Sequence, residues 1–147
     1  MKFLLILLFL FSSYCFPNSI EGKSLLCGYP KEKNVFLDFY AYMFIQKKII
    51  FLSIDLKNDK YILKKAYSTK EEPYFLDAKN IYIRIHPGSL LSTINRETLV
   101  EITKAGKIIL ENKCSVFEDE ESLLKRFDEI INQFQKIYDA KRINNKI

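Results

Sequence analysis

From Lys23 onward the spacing of apolar side chains changes once, at Glu118, and that change sets the architecture. Beyond it, Leu123, Phe127, Ile130, Ile131, Phe134, Ile137 and Tyr138 recur three and four residues apart, so they share one face of an α-helix. Glu118, Asp119, Glu120 and Glu121 stand where that helix begins, and Lys136, Lys141 and Arg142 lie near its end, each sign favourable to the helix dipole. The pattern predicts a helix over residues 118–143. A face this wide has to be buried, and the nearest partner is whatever the preceding chain builds.

The preceding chain reads as short apolar or alternating segments separated by polar turns, at intervals that suit an antiparallel meander. Strands are expected over residues 23–27, 35–43, 49–56, 61–67, 74–76, 80–86, 98–103 and 107–114. The breaks between them carry turn residues: Gly28, Tyr29 and Pro30; then KNDK at 57–60; then Lys104, Ala105 and Gly106. Ile81, Ile83 and Ile85 alternate with Tyr82, Arg84 and His86, which predicts one buried and one wet face. Phe36, Leu37, Phe39, Tyr40, Tyr42, Phe44 and Ile45 are apolar or aromatic on both faces, as in a strand between two packed layers or along a cavity. The fold class expected is therefore mainly β (α+β): an antiparallel up-and-down meander of about six to eight strands, as a curved sheet or small barrel, with one C-terminal amphipathic helix packed on it.

The first fifteen residues have a different character. A single cation at Lys2 precedes an unbroken apolar run from Phe3 to Phe11, and the small polar Ser12 and Ser13 follow. This is the layout of a secretory signal, and cleavage after Cys15 would place Ser13 and Cys15 at the two positions that a signal peptidase reads. The run is roughly half the ~20 apolar residues that a membrane-spanning helix needs. Acylation of Cys15 is the competing expectation, with the bulky Tyr14 just before it. Residues 16–22 would be a linker, 23–117 the β domain, and 118–143 a helix belonging to the same domain.

Removing Cys15 leaves Cys27 and Cys114, an even pair in an oxidising compartment, where a disulfide is the expected state and two unpaired buried thiols are the alternative. There is no C-x-x-C and only one His, so no metal and no cofactor are expected. The formal charge of +5 is dispersed among acids rather than gathered into a stripe, which argues against nucleic acid.

Candidates for chemistry are few. His86 is the only imidazole; Pro87 and Gly88 after it make it an exposed strand end. No G-x-S-x-G or reactive-cysteine context accompanies it. Asn95, Arg96, Glu97 and Thr98 form the most motif-like polar cluster, in which Arg96 would clamp a ligand carboxylate, or else Asn95 makes a turn and Arg96 and Glu97 open the next strand on its wet face. Asp55, Glu71, Glu72 and Asp77 all sit in turn-like settings, so no general acid and base pair is assigned. Tyr82, Arg84, His86 and Arg96 are the candidate ligand-binding residues. The many aromatics of the first strands either pack a core or line a pocket for an apolar molecule.

The segments GKSLLCG (residues 22–28), SLLSTINRETLVEI (89–102) and NKC (112–114), followed by an acidic amphipathic helix, resemble small exported proteins of AT-rich marine alphaproteobacteria. The resemblance implies a compact periplasmic β-sheet protein with paired cysteines, and no activity. A looser similarity, of element order alone and without a G-x-W motif, is to calycin-type barrels. The expected function is non-enzymatic: a periplasmic or secreted protein binding a small apolar ligand or an envelope protein, with no integral membrane span after cleavage. A small hydrolase or envelope-processing enzyme using His86 and Arg96 is the alternative, and a membrane-associated accessory protein or lipoprotein the second.

Overall fold

Turns with positive φ drive the second, third and fourth strands into hairpins. A computed structural model describes residues 19–28, 39–68, 72–84 and 90–144. Strand β1 (Ser24–Cys27) is followed by β2 (Tyr40–Ile45), β3 (Lys48–Lys57) and β4 (Lys60–Tyr67). Gln46 and Lys47 join β2 to β3 with φ of 51° and 60°, and Asn58 and Asp59 join β3 to β4 with φ of 50° and 64°. Two consecutive left-handed residues match the twist of the flanking strands, which is why such two-residue loops close hairpins. Asn58 and Asp59 tolerate that backbone; at the other turn the Glu21 carboxylate accepts the Lys47 N–H at 2.9 Å.

The meander continues through β5 (Tyr74–Leu76), β6 (Asn80–Arg84), β7 (Leu90–Asn95), β8 (Val100–Ala105) and β9 (Ile108–Phe117). All nine strands form one antiparallel sheet in the order β4-β3-β2-β1-β9-β8-β7-β6-β5. The first strand is thus central, flanked by β2 and β9. The sheet is open, with β4 and β5 as its edges. It is mainly β, as the sequence predicts, with more strands than expected: β7 lies in a stretch read as connection. Residues 35–38, 85 and 86, placed in strands by the sequence, lie outside the described residues, as do residues 1–18 with the signal segment and Cys15.

The sheet curls strongly. On one face Tyr42, Phe44 and Ile49 of β2 and β3 pack into the same core as Ile81, Ile83 and Ile94 of β6 and β7. The rings of Phe44 and Tyr74 lie 5.0 Å apart although their strands are six places apart in the sheet. That face is concave and fills itself with side chains. Helix α1 (Glu120–Asn144) covers the convex face over β1 to β4. There Leu123, Phe127 and Ile130 are buried against Leu26, Ala41, Met43, Leu52 and Ile54. The helix is capped by Asp119, whose Oδ1 accepts the Ser122 N–H at 2.7 Å.

The far end of α1 holds the β3–β4 hairpin. Gln135 accepts the Tyr61 N–H at 3.0 Å and donates to the Asp59 carbonyl at 3.0 Å, while Tyr138 donates to the Asp59 carboxylate at 2.7 Å. These contacts protect the β4 edge, which also carries Lys60, Lys64 and Lys65 against strand addition. Among the described residues no helix is long and apolar enough to cross a membrane.

Candidate functional site: a polar network and a pocket on either side of the disulfide

Cys27 and Cys114 face each other directly in β1 and β9. The Gly28 N–H bonds the Lys113 carbonyl at 3.1 Å, so the two cysteines form a non-hydrogen-bonded pair, the close-spaced position of an antiparallel ladder. Their Cα atoms are 4.0 Å apart and the sulfurs are bonded at 2.04 Å, closing a sequence separation of 87. The bridge lies inside the concave face, with Cys27 and Cys114 both buried.

One pair further along β9, Asn112 stands opposite Glu101 of β8. Glu101 is 0 % exposed, the one fully buried carboxylate among the described residues. Its oxygens are surrounded by donors: the Tyr42 hydroxyl at 2.7 Å, the hydroxyls of Tyr40 and Ser92, and the Asn112 amide at 3.4 Å. Asn112 also donates to the Tyr40 hydroxyl at 2.7 Å, and Ser92 pairs with Thr103 at 3.0 Å. No buried polar side-chain atom lacks a partner among the described residues. Burial first, then the neighbouring Glu101 charge, push the Tyr40 phenol far above its ordinary value, and Tyr42 likewise. Both phenols are therefore held neutral and donating.

The chemistry open to this cluster is restricted by its own completeness. Donor atoms of Cys27, Glu101 and Cys114 lie within 4.8 Å of one another, but disulfide sulfurs offer no thiolate to a metal. The carboxylate is saturated by hydrogen bonds and sealed from solvent, so it specifies the interior rather than meeting a ligand.

On the opposite side of the bridge the next pair is Leu25 and Val116, and here the interior opens. A pocket of about 240 Å³ is lined by Ser19, Ile20, Lys23, Leu25, Ile81, Arg96, Leu99 and Val116. Its walls are mostly aliphatic, and two cations border it. Lys23 pairs with Glu118 at 3.1 Å, and Arg96 donates through one nitrogen to the Asp77 carbonyl at 3.0 Å. A guanidinium has five donors, and among the described residues Arg96 uses one of them, which leaves others to face a ligand.

Of the candidate ligand residues that the structure describes, Tyr82, Arg84 and Arg96, only Arg96 borders this pocket. It sits in a loop, since β8 begins at Val100; Asn95 makes the expected turn by accepting the N–H groups of Glu97 and Thr98 at 3.0 and 2.9 Å. The reading of Arg96 and Glu97 as the start of the next strand is corrected: Leu99, with φ of 55°, completes the loop before the strand resumes. Tyr82 and Arg84 lie on the other face of the sheet, Tyr82 stacked on Phe75 at 4.4 Å and Arg84 over the same ring at 5.6 Å. His86 lies outside the described residues.

The acids read as turn residues divide. Asp77 is in a turn, where the Lys79 N–H, the Tyr82 hydroxyl and the Asn80 N–H hold its carboxyl below the usual range. Asp55 instead belongs to β3, within pairing distance of Lys64, while Glu72 precedes β5 and Glu71 is outside the described residues. Sequence reasoning missed Glu101 altogether, because its donors Tyr40 and Tyr42 lie 61 and 59 residues away in the chain. The one local signal was a carboxylate in the middle of a β segment. No protein-family model, no curated protein and no solved structure matches this chain.

Proposed function

We propose that the chain is a non-enzymatic binding protein of an exported compartment, periplasmic or secreted, and that it takes a small amphipathic acid in the pocket between β1, β6 and β9. The observation that carries this reading is the pocket itself: an aliphatic hollow of about 240 Å³ bordered by Lys23 and Arg96. An apolar tail would replace water against Leu25, Ile81 and Val116, at about 25 cal/mol for each Å² buried. The acid would meet the free donors of Arg96, which match a carboxylate in geometry. The N-terminal signal layout and the Cys27–Cys114 bridge support the compartment.

The test is calorimetric titration with a medium-chain fatty acid such as decanoate. Saturable one-to-one binding is expected, weakened about tenfold or more in Arg96→Gln, a loss of ~1.4 kcal/mol or more. Lys23→Gln, which leaves the Asp77 contact of Arg96 intact, should weaken it as well. Absence of binding, or affinity unchanged from the unsubstituted protein in both variants, would overturn the reading. Native mass spectrometry of protein taken from its producing cells then names the bound molecule.

A further inference from the structure

Helix α1 covers only part of the convex face; among the described residues nothing packs on the part over β5 to β8, and that part has its polarity reversed. Along β7 and β8 the inward positions include Ser92, Glu101 and Thr103, all buried, whereas Leu91 and Ile102 point outward. Phe75, Leu91, Ile102 and Ile109 are 45, 41, 40 and 66 % exposed. The cross-strand register puts them on one surface: Phe75 opposes Tyr82, Tyr82 opposes Thr93, Thr93 opposes Ile102; in the adjoining row Arg84 opposes Leu91, Leu91 opposes Lys104, Lys104 opposes Ile109. Isolated exposed apolar residues are ordinary, but four on one contiguous sheet face mark a contact surface.

The charge among them decides the partner. Arg84, Lys104 and Lys113 are exposed on the same face, and Glu111 is the single acid on these strands that shares it. None of the three cations is in an ion pair among the described residues, whereas the helix face pairs its charges: Lys65 with Glu120, Arg126 with Glu129, Arg142 with Asp59. A surface that mixes protruding aliphatic and aromatic side chains with unneutralised cations complements an anionic lipid interface. Shape agrees: a convex face needs a matching hollow in a rigid partner, but lipid headgroups yield around it.

We infer that the outer face of β5 to β9 docks on an anionic phospholipid surface, with Leu91, Ile102 and Ile109 entering the headgroup region and Arg84, Lys104 and Lys113 against the phosphates. This does not depend on the pocket or on what fills it.

The chain contains no Trp, so one placed by substitution reports on its own position. In the full-length protein, Ile109→Trp sits on the proposed face and Tyr67→Trp, 68 % exposed on β4, sits away from it. On adding vesicles of phosphatidylcholine with about one third phosphatidylglycerol, Ile109→Trp should shift its emission to shorter wavelength, and Tyr67→Trp should not. Comparing the two positions separates this face from any attachment made by the apolar N-terminal residues. The shift should vanish with pure phosphatidylcholine, and it should weaken several-fold when Arg84→Gln and Lys104→Gln are added, both exposed changes that spare the core. No shift at position 109, an equal shift at both positions, or a shift indifferent to lipid charge would overturn the proposal. If the probe responds to an acidic protein but not to vesicles, the face belongs to a protein partner and the proposal fails.

Discussion

Glu101 depends on side chains that the fold brings to it from three other strands, so single-atom changes there should have large effects. Glu101→Ala removes the acceptor of the buried Tyr42 and Ser92 hydroxyls. Ser92 keeps Thr103 as a partner, so the main loss falls on Tyr42; a buried hydroxyl left without its acceptor costs about 1–3 kcal/mol, which urea denaturation of the variant would read directly. Tyr42→Phe removes one donor and should cost less, about 1–2 kcal/mol. The pH dependence follows from the raised phenols. Below the ordinary tyrosine value of 10.0, folded and unfolded chains both keep Tyr40 and Tyr42 protonated and their contribution is complete. Above it the unfolded chain loses those protons while the folded one holds them, so stability falls as pH rises. Denaturation midpoints should therefore be lower at about pH 11 than at about pH 9, and the drop should be smaller in Tyr42→Phe. Midpoints unchanged over that range would mean that the phenols are not buried.

Helix α1 and the hairpins are the elements whose sequences announce them. The three-and-four spacing of Leu123, Phe127 and Ile130 names the buried face correctly, because a helix presents its own neighbours to the sheet whatever the sheet's topology. Phe127→Asp would bury an unpaired charge among Leu26, Met43 and Leu52 and should abolish the cooperative transition seen by circular dichroism. Asp119→Ala removes only the cap and should cost about 1 kcal/mol, read as a modest fall in melting temperature. The KNDK turn was legible for the same local reason: Asn58 and Asp59 accept the left-handed backbone. Strand β7 was not legible. Its inward residues are Ser92 and Ile94 and its outward ones Leu91 and Thr93, so no alternation of polarity marks it. Its pairing with β6 and β8, rather than its own pattern, makes it a strand.

For the molecule as a whole, the bridge joins the central strand to the one that leads into the helix. Closing so long a loop removes on the order of 4–5 kcal/mol of chain entropy from the unfolded state on the polymer model. Unfolding in urea with a reductant present should show a midpoint lowered accordingly, and thiol labelling of the native oxidised protein should find Cys27 and Cys114 unreactive. Because both sulfurs are buried, reduction should be slow in buffer and fast in denaturant. The number of cysteines, the order of strands before helix, and the helix face could all be read in one dimension, since each rests on residues a few positions apart. Which way β7 and β8 face could not. A strand turned by one residue exchanges its two faces, and that choice was made by register with the neighbouring strands. Register put Glu101 inside beside Tyr40 and Tyr42 and turned Ile102 toward solvent. The polar interior, the pocket that places Arg96 near Leu25, and the apolar outer face all follow from contacts between residues far apart in the chain, which no local pattern encodes.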